Sequence, residues 1–403
     1  MFASEDTLVV TQHYIPEPIG SAPLCADLAA SLAARGSDVT VLTNRPFYPE
    51  GRVFDPYRTG QHDSGFERGI RVERVTPWLS ARRRSMGRIA ADAAFVVRGT
   101  VALARGRVRR APLVVSVTPS VLCALLGRLC VQRGGRHVTV VHDIESGLAG
   151  ALDMIRVSPL VRAFRSVERL ALDQADAIVA PSAQMKRQLE ELGVKRPVYV
   201  VPLWVDAESI QPMPPTAHSP KTALYSGNIG RKQGLGQLLD LAHALRGHED
   251  ELRILIRGKG SERDELERQA LARKLDNVAF APLLPPMRLA QGLAEGHVHL
   301  VPQDPRAADF AVPSKIFSIM AAGRPFVATA RPGSVLWELQ QDSGAFLCVA
   351  PYDIDAFADA VLRLARDAAY SAALGRRGRQ YVEDRHSRDA ITRQLFDCIE
   401  GRI

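Results

Sequence analysis

Short apolar runs alternate with stretches of helical period along the 403-residue chain. Residues 7–11 form the first run. A loop, HYIPEPIGS, follows, then a helical-period stretch over 22–35 closed by Gly36, then a second apolar run over 38–43. That β–loop–α–β order opens a doubly wound parallel sheet. Apolar runs at 70–75, 113–117, 137–141, 177–179 and 198–201 predict further strands, and helices are predicted over 89–103, 121–133, 160–173 and 182–193. From 202 to 220 Pro and polar residues dominate and no period survives. A second α/β set begins at Thr222, with strands at 223–226, 252–256, 278–280, 298–301, 326–329 and 346–349. Its helices are predicted to end near Leu245 and to cover 264–274, 287–294, 354–366 and 368–384. The pattern divides the chain into a first domain over 1–203, a linker over 204–220 and a second domain over 221–385. A final helix over 386–403 is expected to return to the first domain.

Composition narrows the class. The chain is 46% hydrophobic and 24% charged, which is ordinary for a globular protein. The net charge of +8 favours an acidic partner. The five cysteines (25, 123, 130, 348 and 398) show no metal-ligand spacing, which points to a reducing compartment. The N-terminal residues lack a basic region followed by an apolar one, and no run approaches the ~20 apolar residues of a membrane span, so neither a signal peptide nor a span is expected. The basic residues lack the aromatic interleaving of a nucleic-acid binder.

Candidate chemistry sits in the loops that follow strands. Gly20 lets a backbone approach closely and Ser21 can cap the next helix, which suits either a diphosphate or a tight turn. His142 and Asp143 lie at a strand's carboxyl end, where open α/β sheets hold their active sites. There His142 can move a proton and Asp143 can accept from a sugar hydroxyl, or the pair is a hydrogen-bonded cap. Residues 227–234, GNIGRKQG, are a Gly-rich basic turn that matches neither a P-loop nor the dinucleotide spacing. Pro313, Ser314 and Lys315 open a short helix ending at Gly323, and its first turn gathers N–H groups, a hydroxyl and an ammonium. His297 and His299 share a strand face as a weak metal candidate without a third ligand. Arg82, Arg83, Arg84 and Arg88 precede a mostly apolar helical run, a pattern suited to an anionic membrane surface or to a core helix with solvated ends.

In succession, LYSGNIGRKQGL, RGKGSERDELE, DNVAFAPLLP and AADFAVPSKIFSIMAAGRPFVATA resemble the second domain of family 4 retaining glycosyltransferases. HYIPEPIGSAPLCADLAASLAARGSDVTVLTNRPFYPEGR resembles their first domain, and HDIESGLAGAL is similar to a segment of the colanic-acid and O-antigen branch. That branch adds fucose-type or related sugars to lipid-linked repeat units. The resemblance implies the GT-B fold: α/β, with two Rossmann-like doubly wound domains facing across a cleft. It implies a UDP- or GDP-sugar donor bound mainly by the second domain and a lipid-linked saccharide acceptor bound by the first. Its donor-binding positions are Gly20, Ser21, Gly227, Asn228, Arg231, Lys232, Gly258, Gly260, Leu284, Ser314 and Ser318. Tyr14, Tyr48 and Glu145 are implied for the acceptor. His142, Asp143 and Lys315 are implied for catalysis, with the two former positioning the donor sugar for front-face departure and attack. No metal or other cofactor is expected, because cationic side chains neutralise the leaving diphosphate.

The chain departs from the family pattern at three places. Phe310 and Ser318 stand where relatives carry a pair of glutamates, Asn228 and Gln233 replace a basic pair, and His142 replaces a frequent Gln. The expectation is therefore a cytoplasmic enzyme of exopolysaccharide, capsule or O-antigen assembly, peripheral on the inner face of the membrane. The alternatives are a sugar-nucleotide epimerase and a catalytically silent scaffold on the same fold.

Overall fold

A computed structural model describes residues 6–79, 85–152, 158–216 and 219–402. Two compact units divide the chain: Met1–Pro202 with Thr392–Ile403, and Leu203–Ile391.

The first unit is built on eight strands: β1 (Thr7–Thr11), β2 (Val39–Asn44), β3 (Ser64–Glu67), β4 (Ile70–Val75), β5 (Ala111–Val117), β6 (Val131–Val140), β7 (Ala177–Ala180) and β8 (Val198–Val200). Their order is β3-β4-β2-β1-β5-β6-β7-β8. Every neighbouring pair is parallel except β3 with β4. The helices are α1 (Ser21–Ala34), α2 (Ser85–Ala104), α3 (Leu122–Cys130), α4 (Glu145–Ala151), α5 (Ser158–Leu172) and α6 (Ala183–Glu191). The central strands are buried on both faces, which is why they read as unbroken apolar runs.

The second unit carries β9 (Lys221–Ser226), β10 (Leu252–Arg257), β11 (Val278–Ala281), β12 (Val298–Val301), β13 (Phe326–Thr329) and β14 (Leu347–Val349), in the parallel order β11-β10-β9-β12-β13-β14. Its helices are α7 (Gly236–Ala244), α8 (Arg263–Ala272), α9 (Leu289–Ala294), α10 (Lys315–Ala321), α11 (Val335–Ser343), α12 (Ile354–Arg366) and α13 (Ala368–Arg385). The last helix, α14 (Arg388–Glu400), has its residues from 392 onward in the first unit. There the Arg35 guanidinium lies 4.4 Å from the centre of the Phe396 ring, and Arg136 donates to the Cys398 carbonyl at 3.1 Å.

Several elements differ from the pattern reading. The exposed strand β3, SGFE, offers no apolar run to read and is held by its pairing with β4. Strand β6 begins inside the basic, Gly-containing stretch expected to end a helix. It follows β5 through a register shift between Ala111 and Leu113, and Gly135 fits because a Cβ there would stand 2.5 Å from the Pro112 carbonyl oxygen. Helix α11 was not anticipated; the Ser334 hydroxyl accepts from Trp337 N–H at its start, and Gly344 ends it at φ 54°.

The Pro-rich stretch after 202 is not a bare tether. Leu203, Trp204, Val205, Ala207 and Ile210 are buried in the second unit. Val205 N–H donates to the His386 carbonyl at 3.0 Å, and Arg379 donates to the Ile210 carbonyl at 2.7 Å. An irregular segment laid over a core has no period, so sequence pattern cannot tell it from a linker.

Candidate functional site

Parallel sheets gather the loops after their strands on one edge, and a crevice opens where the winding reverses direction. In the second unit that reversal falls between β9 and β12. After β9, Gly227 takes φ +148°, a value side chains rarely adopt. After β12, residues 302–314 lead into Lys315.

The Lys315 ammonium lies 3.6 Å from the centre of the ring of Tyr225, the penultimate residue of β9 before Gly227. It also abuts Gly227, where a Cβ would stand 2.9 Å from Nζ. The residue is part-exposed, but its ammonium is buried and has no hydrogen-bond partner. Burial, and after it the nearby Lys232 charge, lower its pKa to about 7. Holding an unpaired cation there is costly, and an anionic oxygen would relieve the cost.

Other sequence candidates fall around this ammonium with differing roles. Gly258 and Gly260 fit one loop onto another: a Cβ would stand 1.9 Å from the Gly227 carbonyl oxygen and 2.0 Å from that of Ile229. Gly227 N–H donates to the Arg257 carbonyl at 3.0 Å and Ile229 N–H to that of Lys259 at 2.8 Å. The Asn228 carbonyl accepts from the Tyr225 hydroxyl, and exposed Arg231 stands 3.7 Å from the Glu262 carboxylate. Leu284 packs on Gly292, whose carbonyl accepts from Arg257 at 3.2 Å, while Arg257 pairs with Glu295. Ser314, Ser318 and Phe310 are half-buried.

The expected run of free N–H groups at the start of α10 needs correction. Ile316 N–H donates to the Pro313 carbonyl and Phe317 N–H to that of Ser314, each at 3.2 Å, so the first turn closes on itself. The Ser314 side chain caps nothing. Charge at this edge comes from Lys315 rather than from the short helix. His297 and His299 are also occupied: His297 Nδ1 accepts from Thr222 N–H at 3.0 Å, and His299 Nε2 donates to the Leu293 carbonyl at 2.9 Å. Burial lowers the His299 pKa to about 3, so it is a neutral core residue. Among the described residues no group of three His, Cys, Asp or Glu could hold a metal.

In the first unit the winding reverses between β1 and β5. Gly20 precedes α1 with φ −54° and ψ −32°, an ordinary helical conformation. Ser21 is the first helical residue rather than a cap, and its buried hydroxyl has no partner. His142 and Asp143 are half-buried just after β6, and His142 N–H donates to the Thr118 hydroxyl at 2.9 Å.

Two buried carboxylates, neither singled out from the sequence, fix the neighbouring loops. Glu17 meets His13 Nδ1 at 2.7 Å and accepts the N–H groups of Phe47 and Tyr48, each at 2.7 Å. Glu168 accepts Glu145 N–H at 2.9 Å and Ser146 N–H at 3.2 Å, together with the Ser146 hydroxyl. Burial raises the Glu168 pKa against those hydrogen bonds. For Glu17 the sequence signal is an acid between two prolines, whereas Glu168, in an arginine-containing helix, carries none. Of the acceptor candidates, Tyr14 and Glu145 are buried and Tyr48 is half-buried. Burial pushes the Tyr14 hydroxyl up to about 12. Arg82, Arg83 and Arg84 lie outside the described residues, as does the Arg88 side chain.

Residues 20–204 match the family model described as a glycosyl transferase 4-like domain, and residues 220–367 match that of glycosyl transferases group 1. The chain belongs to the GT-B glycosyltransferases. This glycosyltransferase is 29% identical over 414 aligned residues to the putative colanic acid biosynthesis glycosyl transferase WcaI of Escherichia coli K12, covering 98% of this chain and 99% of that one. Its fold matches sucrose-phosphate synthase from Thermosynechococcus elongatus at a TM-score of 0.77 and 19% identity, covering 98% of each chain. It also matches Anabaena HepE, solved with UDP and glucose, at a TM-score of 0.70 and 16% identity over 98% of this chain and 99% of that one.

Proposed function

We propose that the protein transfers a sugar from a UDP- or GDP-sugar to a lipid-linked saccharide in bacterial exopolysaccharide, capsule or O-antigen assembly. The observation that carries this reading is the buried, unpartnered Lys315 ammonium over Tyr225 at the winding reversal of the second unit. A diphosphate is the nucleotide-sugar group that meets its charge, with Lys232 adding a second cation nearby. The full-length likeness to a colanic acid relative supports the polysaccharide setting.

The chemistry follows from charge. As the sugar–diphosphate bond breaks, negative charge grows on the leaving oxygen, and a preplaced cation in a water-poor site stabilises it most at the transition state. Lys315, Lys232 and Arg231 supply that stabilisation without a metal. Asn228, Gly227, Ser314 and Ser318 contact the phosphates and ribose, Leu284 contacts the base, and Gly20 and Ser21 offer a further phosphate contact. His142 and Asp143 orient the transferring sugar for a retaining, front-face displacement. Tyr14, Tyr48 and Glu145 contribute to acceptor binding. The enzyme works on the cytoplasmic face of the membrane, with residues 82–88 close to the lipid.

Isothermal titration with UDP, GDP and their sugars tests the donor. We expect one nucleoside diphosphate to bind the wild-type chain, and Lys315→Ala to cut turnover by roughly tenfold or more. Binding of neither nucleotide, or undiminished turnover in the variant, would sink the proposal.

A further inference from the structure

The turn between β14 and α12 holds a residue that its geometry disfavours. Asp353 N–H donates to the Ala350 carbonyl at 3.2 Å, closing a four-residue turn with Pro351 second and Tyr352 third. Tyr352 takes φ 66°. A turn with Pro second and a positive φ third calls for Gly or Asn at the third place. Among the described residues two other non-glycine residues have a positive φ, and each has a local reason. Arg68 (φ 52°) and Gly69 close the hairpin of β3 and β4. Lys274 (φ 51°) follows the end of α8, where a left-handed residue stops a helix. Tyr352 gains little packing in exchange, since it is 57% exposed. A strained yet exposed aromatic ring points to a function rather than to folding.

The strain is held in place from beneath. Tyr352 N–H donates to Oε1 of the buried Gln237 at 3.1 Å. Gln237 Nε2 in turn donates to the Gly234 carbonyl at 3.3 Å and the Gln303 carbonyl at 3.4 Å. One amide thus joins this turn to the loops after β9 and β12, which carry Lys232 and lead into Lys315. A fixed guanidinium stands close by. The buried Asp304 carboxylate accepts from Arg306 N–H at 2.9 Å, Nε at 3.0 Å and Nη2 at 2.8 Å, while the Arg306 side chain stays 52% exposed. The Tyr352 hydroxyl senses both groups: partial burial and then Asp304 raise its pKa, and Arg306 lowers it. Asp304 N–H donates to the Lys232 carbonyl at 3.1 Å, so this patch adjoins the basic turn.

Charge decides what the patch can take. Arg306 is matched by its own carboxylate, so the patch lacks the surplus charge with which Lys315 would draw a phosphate. A tyrosine face offers an apolar plane, and a hydroxyl and a guanidinium edge offer hydrogen bonds. That combination complements a sugar ring, which has a C–H face and a hydroxyl rim. The base contact proposed above, Leu284, follows the edge strand β11, whereas Tyr352 follows β14 at the other edge of the sheet. We propose that Tyr352 and Arg306 form a platform for a neutral pyranose ring of the saccharide acceptor. The ring stacks on Tyr352 and its hydroxyls meet Arg306. This deepens the saccharide-acceptor reading above, on which it rests, by giving the second unit its own hold on the acceptor.

A microarray of neutral oligosaccharides of glucose, galactose, mannose and fucose, probed with the fluorescently labelled full chain, is the test. Wild type should bind a subset of them. Tyr352→Asn and Tyr352→Gly suit the turn but lack the ring. Each should lose about fivefold or more of that signal while melting no lower than wild type. Tyr352→Phe keeps the ring and should retain most of the signal. Arg306→Lys keeps Asp304 paired but loses the planar fork, and should weaken binding of the same oligosaccharides. UDP and GDP affinities, measured in parallel, should match wild type in all of these variants. A wild type that binds nucleotide but no oligosaccharide would overturn the platform and leave the donor reading standing. Oligosaccharide binding undiminished in Tyr352→Gly would also overturn it. So would a loss confined to nucleotide-sugar affinity, which would assign the ring to the donor.

Discussion

Lys315 concentrates the conflict between stability and function in one side chain. Its pKa of about 7, against 10.5 for a free lysine, means that the unfolded chain binds more protons than the folded one between those values. Its contribution to stability therefore rises with pH from about 7 to 10.5 and is least favourable below 7. Lys315→Met, which keeps the stem and removes the charge, should raise the melting temperature most at or below pH 7 while abolishing nucleotide binding. Donor affinity should be flat below pH 7 and weaken above it, because a diphosphate needs the protonated amine. A melting temperature unchanged in Lys315→Met, or donor affinity indifferent to pH across that range, would contradict this account. Lys315 was legible in the sequence from its place after Pro-Ser at a helix start. Tyr225 was not, because a tyrosine at a strand end carries no mark of the cation it will hold. Gly258 and Gly260 were legible as special positions, but what they accommodate is backbone from the neighbouring loop.

At the level of elements, buried acids decide where loops go. Helix α4 begins with N–H groups that face a carboxylate on α5 instead of water. Glu168→Ala would leave those donors unpaired and should cost about 1–3 kcal/mol in denaturant unfolding, whereas Glu168→Gln keeps an acceptor and should cost less. An Ala variant as stable as wild type would show that the carboxylate is not needed to close the helix. Strands β1, β9, β12 and β13 could be read from sequence because burial on both faces writes an apolar run. Strand β3 could not, since pairing with β4 rather than burial keeps it extended, and neither could the early part of β6, which is exposed and lies opposite the register shift in β5.

Across the whole molecule, each unit contains a histidine kept neutral inside its core. Burial lowers the pKa of His137 to about 4 and that of His299 to about 3, from 6.5. The unfolded chain takes up these protons below 6.5 while the folded chain resists until about 4 and about 3. The stability they permit is therefore complete above pH 6.5 and is lost as the pH falls toward those values. Chemical denaturation followed from pH 7.5 to 5 should show falling stability, with a shallower slope in His299→Gln. A slope identical in that variant would remove His299 from the acid response.

Sequence alone determined the two α/β sets and the positions of most strands, because burial periodicity and loop composition are local properties of the chain, and the resemblance of its loop motifs pointed to the family. It also marked Lys315, Gly227 and the basic turn near them. Only the tertiary structure decided that Lys315 stands unpaired over an aromatic ring, that Glu17 and Glu168 hold loops, and that the irregular stretch after Pro202 packs into the second unit. It likewise decided that the apolar stripe of α2 points outward while Asp92 points in. A helical period shows that a helix has two faces, and only the packing of its neighbours shows which one meets the core.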